Sequence, residues 1–151
     1  MNESTTAPSG EAIAATEKPA DNFDVLGELP EWNLDDLYVG MDDPILKRDL
    51  ALGESAAREF EVRYKTRLAK LAAEGGLAAA VVAFEELEEL LGRIISFAGL
   101  VHAGDTADPV RAKFYGDIQE KITNASSHIL FFGLERNRID DATLEKALAD
   151  P

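Results

Sequence analysis

Apolar residues recur along most of this chain at steps of three and four. Leu46, Leu50, Gly53, Ala57, Phe60, Tyr64, Leu68 and Leu71 fall on one helix face. Asp43 and Pro44 precede them: a side chain able to cap the first turn, then a residue whose missing N–H costs nothing at the first helical position. Gly75-Gly76 supplies the stop. A single helix is therefore expected over 44–74, about 46 Å long at its standard rise. Gly53 weakens helix propensity but lies on the apolar face, where close approach of a neighbouring helix is its use.

A second helix is expected from about Leu77 to Ala103, with Phe84, Leu87, Leu91, Ile94, Ala98 and Val101 on its face. Leu90, Ile95 and Phe97 widen that face, so this helix needs neighbours on more than one side. Asp108-Pro109 repeats the cap-and-start pair and opens a third helix carrying Phe114, Ile118, Ile122, Ala125, Ile129 and Phe132. A fourth begins near Asp141 with Leu144 and Leu148. No segment alternates for long enough to make a strand. The pattern predicts an all-α fold of long antiparallel helices joined by short connections. The sequence ends on Asp150-Pro151, the pair that opened two earlier helices, and this reads as a chain cut before a further helix.

Ahead of the first helix stands LPEWNLDDLY, residues 29–38. It is too apolar for a free tail. Asn33 can cap a turn that places Leu34, Leu37 and Tyr38 on one side. Trp32 is expected to bury beside them, its indole N–H on an acceptor. Residues 1–22, rich in Ala, Ser, Thr, Glu and Pro, bury too little to offset the entropy of ordering. They are expected to form a disordered arm, with a helical domain over 23–151.

Charge narrows the choice of partners. The net charge is −14. Residues 1–43 hold −10, residues 44–74 hold +2 and residues 75–151 hold −6. So acidic a chain repels phosphate backbones, which argues against nucleic acid. There is no cysteine, so disulfides and thiolate metal sites are excluded. No apolar run is long enough for a membrane span, and the first residues lack a secretory leader. The expected location is the cytoplasm.

Candidate chemistry is thin. His102 and His128 stand 26 residues apart, and neither begins the H-E-x-x-H pattern that turns two imidazoles toward one zinc. His102, Asp105 and Asp108 could form an oxygen-rich metal set; a helix end, a turn and a cap explain them better. Glu85, Glu86, Glu88 and Glu89 could pair for acid–base work, but read more simply as a solvated helix side. Ser126, Ser127 and Thr123 have no matching base and acid for a nucleophilic triad. No residue of this chain is assigned a catalytic, cofactor-binding or metal-ligating role.

LPEWNLDDLYVGMDDP, AGDTADP and FFGLERNRIDD, in that order and spacing, resemble the N-terminal part of oligoendopeptidase F, of the thimet-oligopeptidase-like zinc metallopeptidases. The resemblance covers roughly residues 28–151. It implies an N-terminal helical region that walls a channel admitting short, unfolded peptides and packs on a catalytic domain. It also implies zinc, held by an H-E-x-x-H helix and a downstream Glu, with the motif Glu activating the metal-bound water. None of those residues occurs in this sequence, so the chain alone is expected to be inactive. Two alternatives remain from the residues themselves: a stand-alone helical interaction module without catalysis, and a helical metal carrier built on the acidic residues.

Overall fold

A computed structural model describes residues 32–149, with the side chain of Leu148 excepted. The expectations for the arm over 1–22, for the chain up to Glu31 and for Asp150-Pro151 lie outside the described residues. Helix α1 is Pro44–Tyr64, α2 Leu68–Glu74, α3 Leu77–Gly104, α4 Pro109–Arg136 and α5 Asp141–Ala149. Among the described residues there is no strand, so the fold is all-α.

Both Asp-Pro pairs act as expected. The Asp43 side chain accepts from the backbone N–H of Ile45 at 2.7 Å, and that of Asp108 from Val110 at 2.7 Å. Asp43 has a second task. Its other carboxylate oxygen accepts from the N–H of Val39 at 3.0 Å, which ties the incoming chain to the start of α1.

The long helix over 44–74 is instead two helices, α1 and α2, separated by Lys65, Thr66 and Arg67. Thr66 has φ +65°, a left-handed conformation that a β-branched residue adopts only under constraint. Its freed N–H donates to a carboxylate oxygen of Glu135 at 2.7 Å, and Arg67 N–H donates to the Tyr64 carbonyl. The break lets Leu68 and Ala72 turn inward and bury over the end of the bundle. That gain in apolar burial offsets the interrupted helix. Gly75 and Gly76, with φ +92° and +106°, then reverse the chain as a left-handed stop requires.

The long helices alternate in direction. Gly53 faces Leu91 and Phe60 meets Phe84, so α1 and α3 are antiparallel. Phe114 meets Phe97 and Phe132 meets Phe84, so α4 reverses again and runs with α1. A Cβ on Gly53 would lie 2.8 Å from Leu91 Cδ2, closer than side chains tolerate. The glycine thus permits the close α1–α3 approach inferred from its place on the face. Helix α5 packs across α2 and α3.

Apolar packing forms two clusters. One contains Tyr38, Leu46, Leu50, Ile94, Phe97, Ala98 and Ile118. The other holds Phe60, Tyr64, Leu68, Leu87, Leu91, Ile129, Phe131 and Phe132, with Phe84 and Leu144 against it. Phe97 and Phe131 are buried, so the breadth of the apolar faces is largely consumed within the bundle. Large apolar side chains that stay exposed include Leu52, Val62, Val82, Leu130 and Leu134.

Candidate functional site

The strap that enters α1 contains the first polar centre. Asp35 N–H donates to the Asn33 side chain at 2.7 Å, and the N–H groups of Leu37 and Tyr38 both donate to the Leu34 carbonyl. This turn aims Leu34, Leu37 and Tyr38 inward, as expected. It does not bury Trp32, which is 72% exposed. Trp32 precedes the capped turn and stays on its outer side, so the expected docking residue is corrected from Trp32 to Tyr38. Tyr38 is 3% exposed, meets Phe97 edge-on at 5.2 Å, and donates its hydroxyl to Asp49 at 3.2 Å.

Asp49 is equally buried. Arg48 donates to one carboxylate oxygen at 2.8 Å, and Arg93 of α3 lies 3.7 Å from the other. A buried carboxylate persists when its lone pairs are met, and here the Tyr38 phenol and the Arg48 guanidinium meet them while the Arg93 charge stands close by. Burial raises the Tyr38 pKa first, and the neighbouring Asp49 charge and hydrogen bond raise it further. The centre joins strap, α1 and α3. Nothing in it is a nucleophile aimed at open space, so it is a structural pin.

The set His102, Asp105 and Asp108 does not converge. Asp105 accepts from Ala107 N–H at 3.0 Å and Asp108 caps α4, each within the turn that joins α3 to α4. The His102 ring lies flat on Tyr115, with centroids 5.4 Å apart and planes 11° off parallel. Its Nδ1 is buried without a hydrogen-bond partner. Among the described residues no three potential ligands gather around one point. Glu85, Glu86, Glu88 and Glu89 are all exposed. Ser127 donates its hydroxyl to the Asn124 carbonyl, in its own helix.

One further pairing joins α1 and α4. His128 Nδ1 lies 2.5 Å from Glu61 Oε2 across α1 and α4, and Lys65 donates to the other Glu61 oxygen. The two partners are 67 positions apart, and no local motif links them. The Glu61 pKa is lowered, first by the Lys65 hydrogen bond and then by that of His128. A carboxylate-oriented imidazole can serve as a base. No hydroxyl is hydrogen-bonded to it among the described residues, so the pair lacks a nucleophile.

The remaining feature is a groove of about 350 Å³ between α1 and α3. Ala56, Phe60 and Leu87 floor it, and Leu52 and Leu90 stand at its edge. Glu59 and Arg63 enter from α1 and Glu86 from α3. Apolar with a few polar side chains, it suits recognition of a side-chain row more than bond-making chemistry. Among the described residues, no helix is long and apolar enough to cross a membrane. No family model, no curated protein and no solved structure matches this chain.

Proposed function

We propose that these 151 residues are the N-terminal helical part of an oligoendopeptidase F-like zinc metallopeptidase, which hydrolyses internal bonds of short peptides. In this reading the bundle walls one side of the peptide channel and packs against its own catalytic domain. Substrates are short unfolded peptides, excluded from the channel when folded. The enzyme works in the cytoplasm.

The observation that supports the reading best is where the three resembling segments fall. The first holds the capped turn, the Tyr38 pin and the α1 start. AGDTADP makes the α3–α4 turn and FFGLERNRIDD the α4–α5 turn. Capping alone explains Asp43 and Asp108 in any helical protein. It does not require these three segments in this order and at these distances. Exposed Leu130 and Leu134, one turn apart on α4, add surface that a covering domain would bury.

Zinc does not fit the residues described. His128 is turned to Glu61, His102 lies on Tyr115 with Nδ1 buried, and the two belong to different seams of the bundle. The ligands and the catalytic Glu therefore belong to other residues of the proposed enzyme, and these helices supply shape alone.

The reading frame followed beyond codon 151 tests this directly. It should encode an H-E-x-x-H helix, and the joined product should cleave a quenched-fluorescent peptide until a chelator removes its metal. These 151 residues alone should show neither stoichiometric zinc nor cleavage. A frame that closes without the motif would sink the reading and leave the stand-alone interaction module.

A further inference from the structure

The outer seams between the long helices are unequal. Glu61 and His128 close the α1/α4 seam. On the α3/α4 side His102 covers Tyr115, and Arg111 of α4 donates to the Val101 carbonyl. The α1/α3 seam has the Asp49–Arg93 pair at its strap end. Beyond that pair, no hydrogen bond or ion pair spans it among the described residues, and the groove opens there.

Charge is distributed just as unevenly. Lys65 and His128 satisfy Glu61, and Lys113 pairs with Asp117. Glu59 and Glu86 line the open groove from opposite walls, and neither has an ion-pair partner among the described residues. Glu89, three residues along α3 from Glu86, is exposed and likewise has no ion-pair partner among the described residues. The groove's own cation, Arg63, lies over the Tyr64 ring at 5.2 Å. Leu52 is 52% exposed at the edge. An apolar trough between two unpaired carboxylates is half of a recognition surface.

We infer that the α1/α3 groove receives a basic amphipathic helix of a partner polypeptide. Apolar side chains at steps of three and four would fill the trough over Ala56, Phe60 and Leu87. Lysines or arginines beside that row would meet Glu59 and Glu86, which sets orientation and speeds encounter. An acidic helix would place like charges together. A second copy would bring the same carboxylates and a further −14 against this one, so self-association is the poorer match. The inference does not depend on the peptidase reading, because the groove and its carboxylates belong to the bundle itself.

A fluorescein-labelled synthetic peptide of roughly 18 residues, about five helical turns, provides the probe. Leucines form its apolar row and lysines flank them; a second peptide carries glutamate in place of lysine. The lysine peptide should bind saturably at one to one, and amide NMR shifts should centre on Leu52, Ala56, Leu87 and Leu90. Glu59→Lys with Glu86→Lys should weaken binding at least about tenfold. Glu120→Lys with Glu145→Lys, the same charge change away from the groove, should leave it within about twofold. Equal loss from both pairs would reduce the effect to bulk attraction and overturn the inference. So would shifts centred elsewhere, or equal binding of the glutamate peptide. A dimer in light scattering that Leu52→Glu dissociates would put a second copy in the groove, and would overturn it too.

Discussion

At the strap end Tyr38 meets Phe97 edge-on and gives its hydroxyl to Asp49. At the far end Phe60, Phe84, Phe131 and Phe132 touch ring to ring, with Phe84 and Phe132 stacked at 4.2 Å. Among the described residues both buried acids, Asp43 and Asp49, lie at the strap end. Two of the three helix starts capped by aspartate are there as well; the third, Asp140 accepting from Thr143 N–H at 3.0 Å, opens α5 at the other end. One end is therefore held by a few groups that each need a particular partner. The other is held mainly by volume and contact area, its polar ties, Glu61–His128 and Thr66–Glu135, lying outside the buried cluster. Removing a methylene from an aromatic cluster costs in proportion to the hole. Removing a partner from a buried charge strands whatever it was satisfying. Substitution can separate the two kinds of support.

The largest effect should come from the aromatic end. Phe132→Ala removes a ring that touches both Phe60 and Phe84, and should cost about 4 kcal/mol in urea unfolding. A loss no greater than that of a surface substitution would deny this cluster its place in the core. At the strap end Asp49→Ala should cost about 2 kcal/mol, because the Tyr38 hydroxyl is left buried without its acceptor. Tyr38→Phe should cost about 1 kcal/mol, and the double variant less than the two together. Strict additivity would show that the hydroxyl and the carboxylate do not act as a pair.

The two capping aspartates sharpen the contrast within one end. Asp108→Ala should lower stability by about 1 kcal/mol, since one N–H near the start of α4 loses its acceptor. Asp43→Ala should cost about twice that, because Val39 N–H is released as well. Equal melting midpoints for the two variants would remove the strap from the account. The smallest effect concerns acid. The folded-state pKa of Glu61 is depressed, chiefly through Lys65, so its stabilising contribution is present above the unfolded carboxylate value of about 4.3. It is lost as pH falls through the depressed value. The stability difference between the wild type and Glu61→Gln should therefore close on acidification below that value. A difference that widens there would reverse the sign.

Helix starts were legible because Asp-Pro pairs state them in adjacent residues. The stop at Gly75-Gly76 was legible because only glycine accepts the backbone found there. The Thr66 break was not. No Gly or Pro marks it, and the apolar spacing runs through Phe60, Tyr64, Leu68 and Leu71 undisturbed. What breaks the helix is Glu135, 69 positions away, together with the burial of Leu68. Trp32 misled for a different reason. Its size argued for burial, while the direction of the Asn33 turn decided which side chains faced inward. Asp49 sits beside Leu50 in a helical pattern and reads as surface until α3 brings Arg93 to it. The groove likewise exists only once α1 and α3 lie antiparallel, so its floor residues read simply as core.

The three-residue joint between α1 and α2 also has a consequence for the wholeness of the chain. Lys65, Thr66 and Arg67 are exposed, and two of them are the residues after which trypsin cuts. Exposed joints between rigid elements are where proteases nick first. Limited trypsin digestion should cut early there, as at exposed Arg138 between α4 and α5, and the cut at this joint divides the chain into two pieces of unequal size. The smaller would carry the strap and α1, which stay joined to α3 and α4 through Asp49–Arg93, Glu61–His128 and the shared apolar clusters. The nicked protein should therefore still elute as one species. The same site becomes a place to divide the sequence into two separately expressed halves that reassemble.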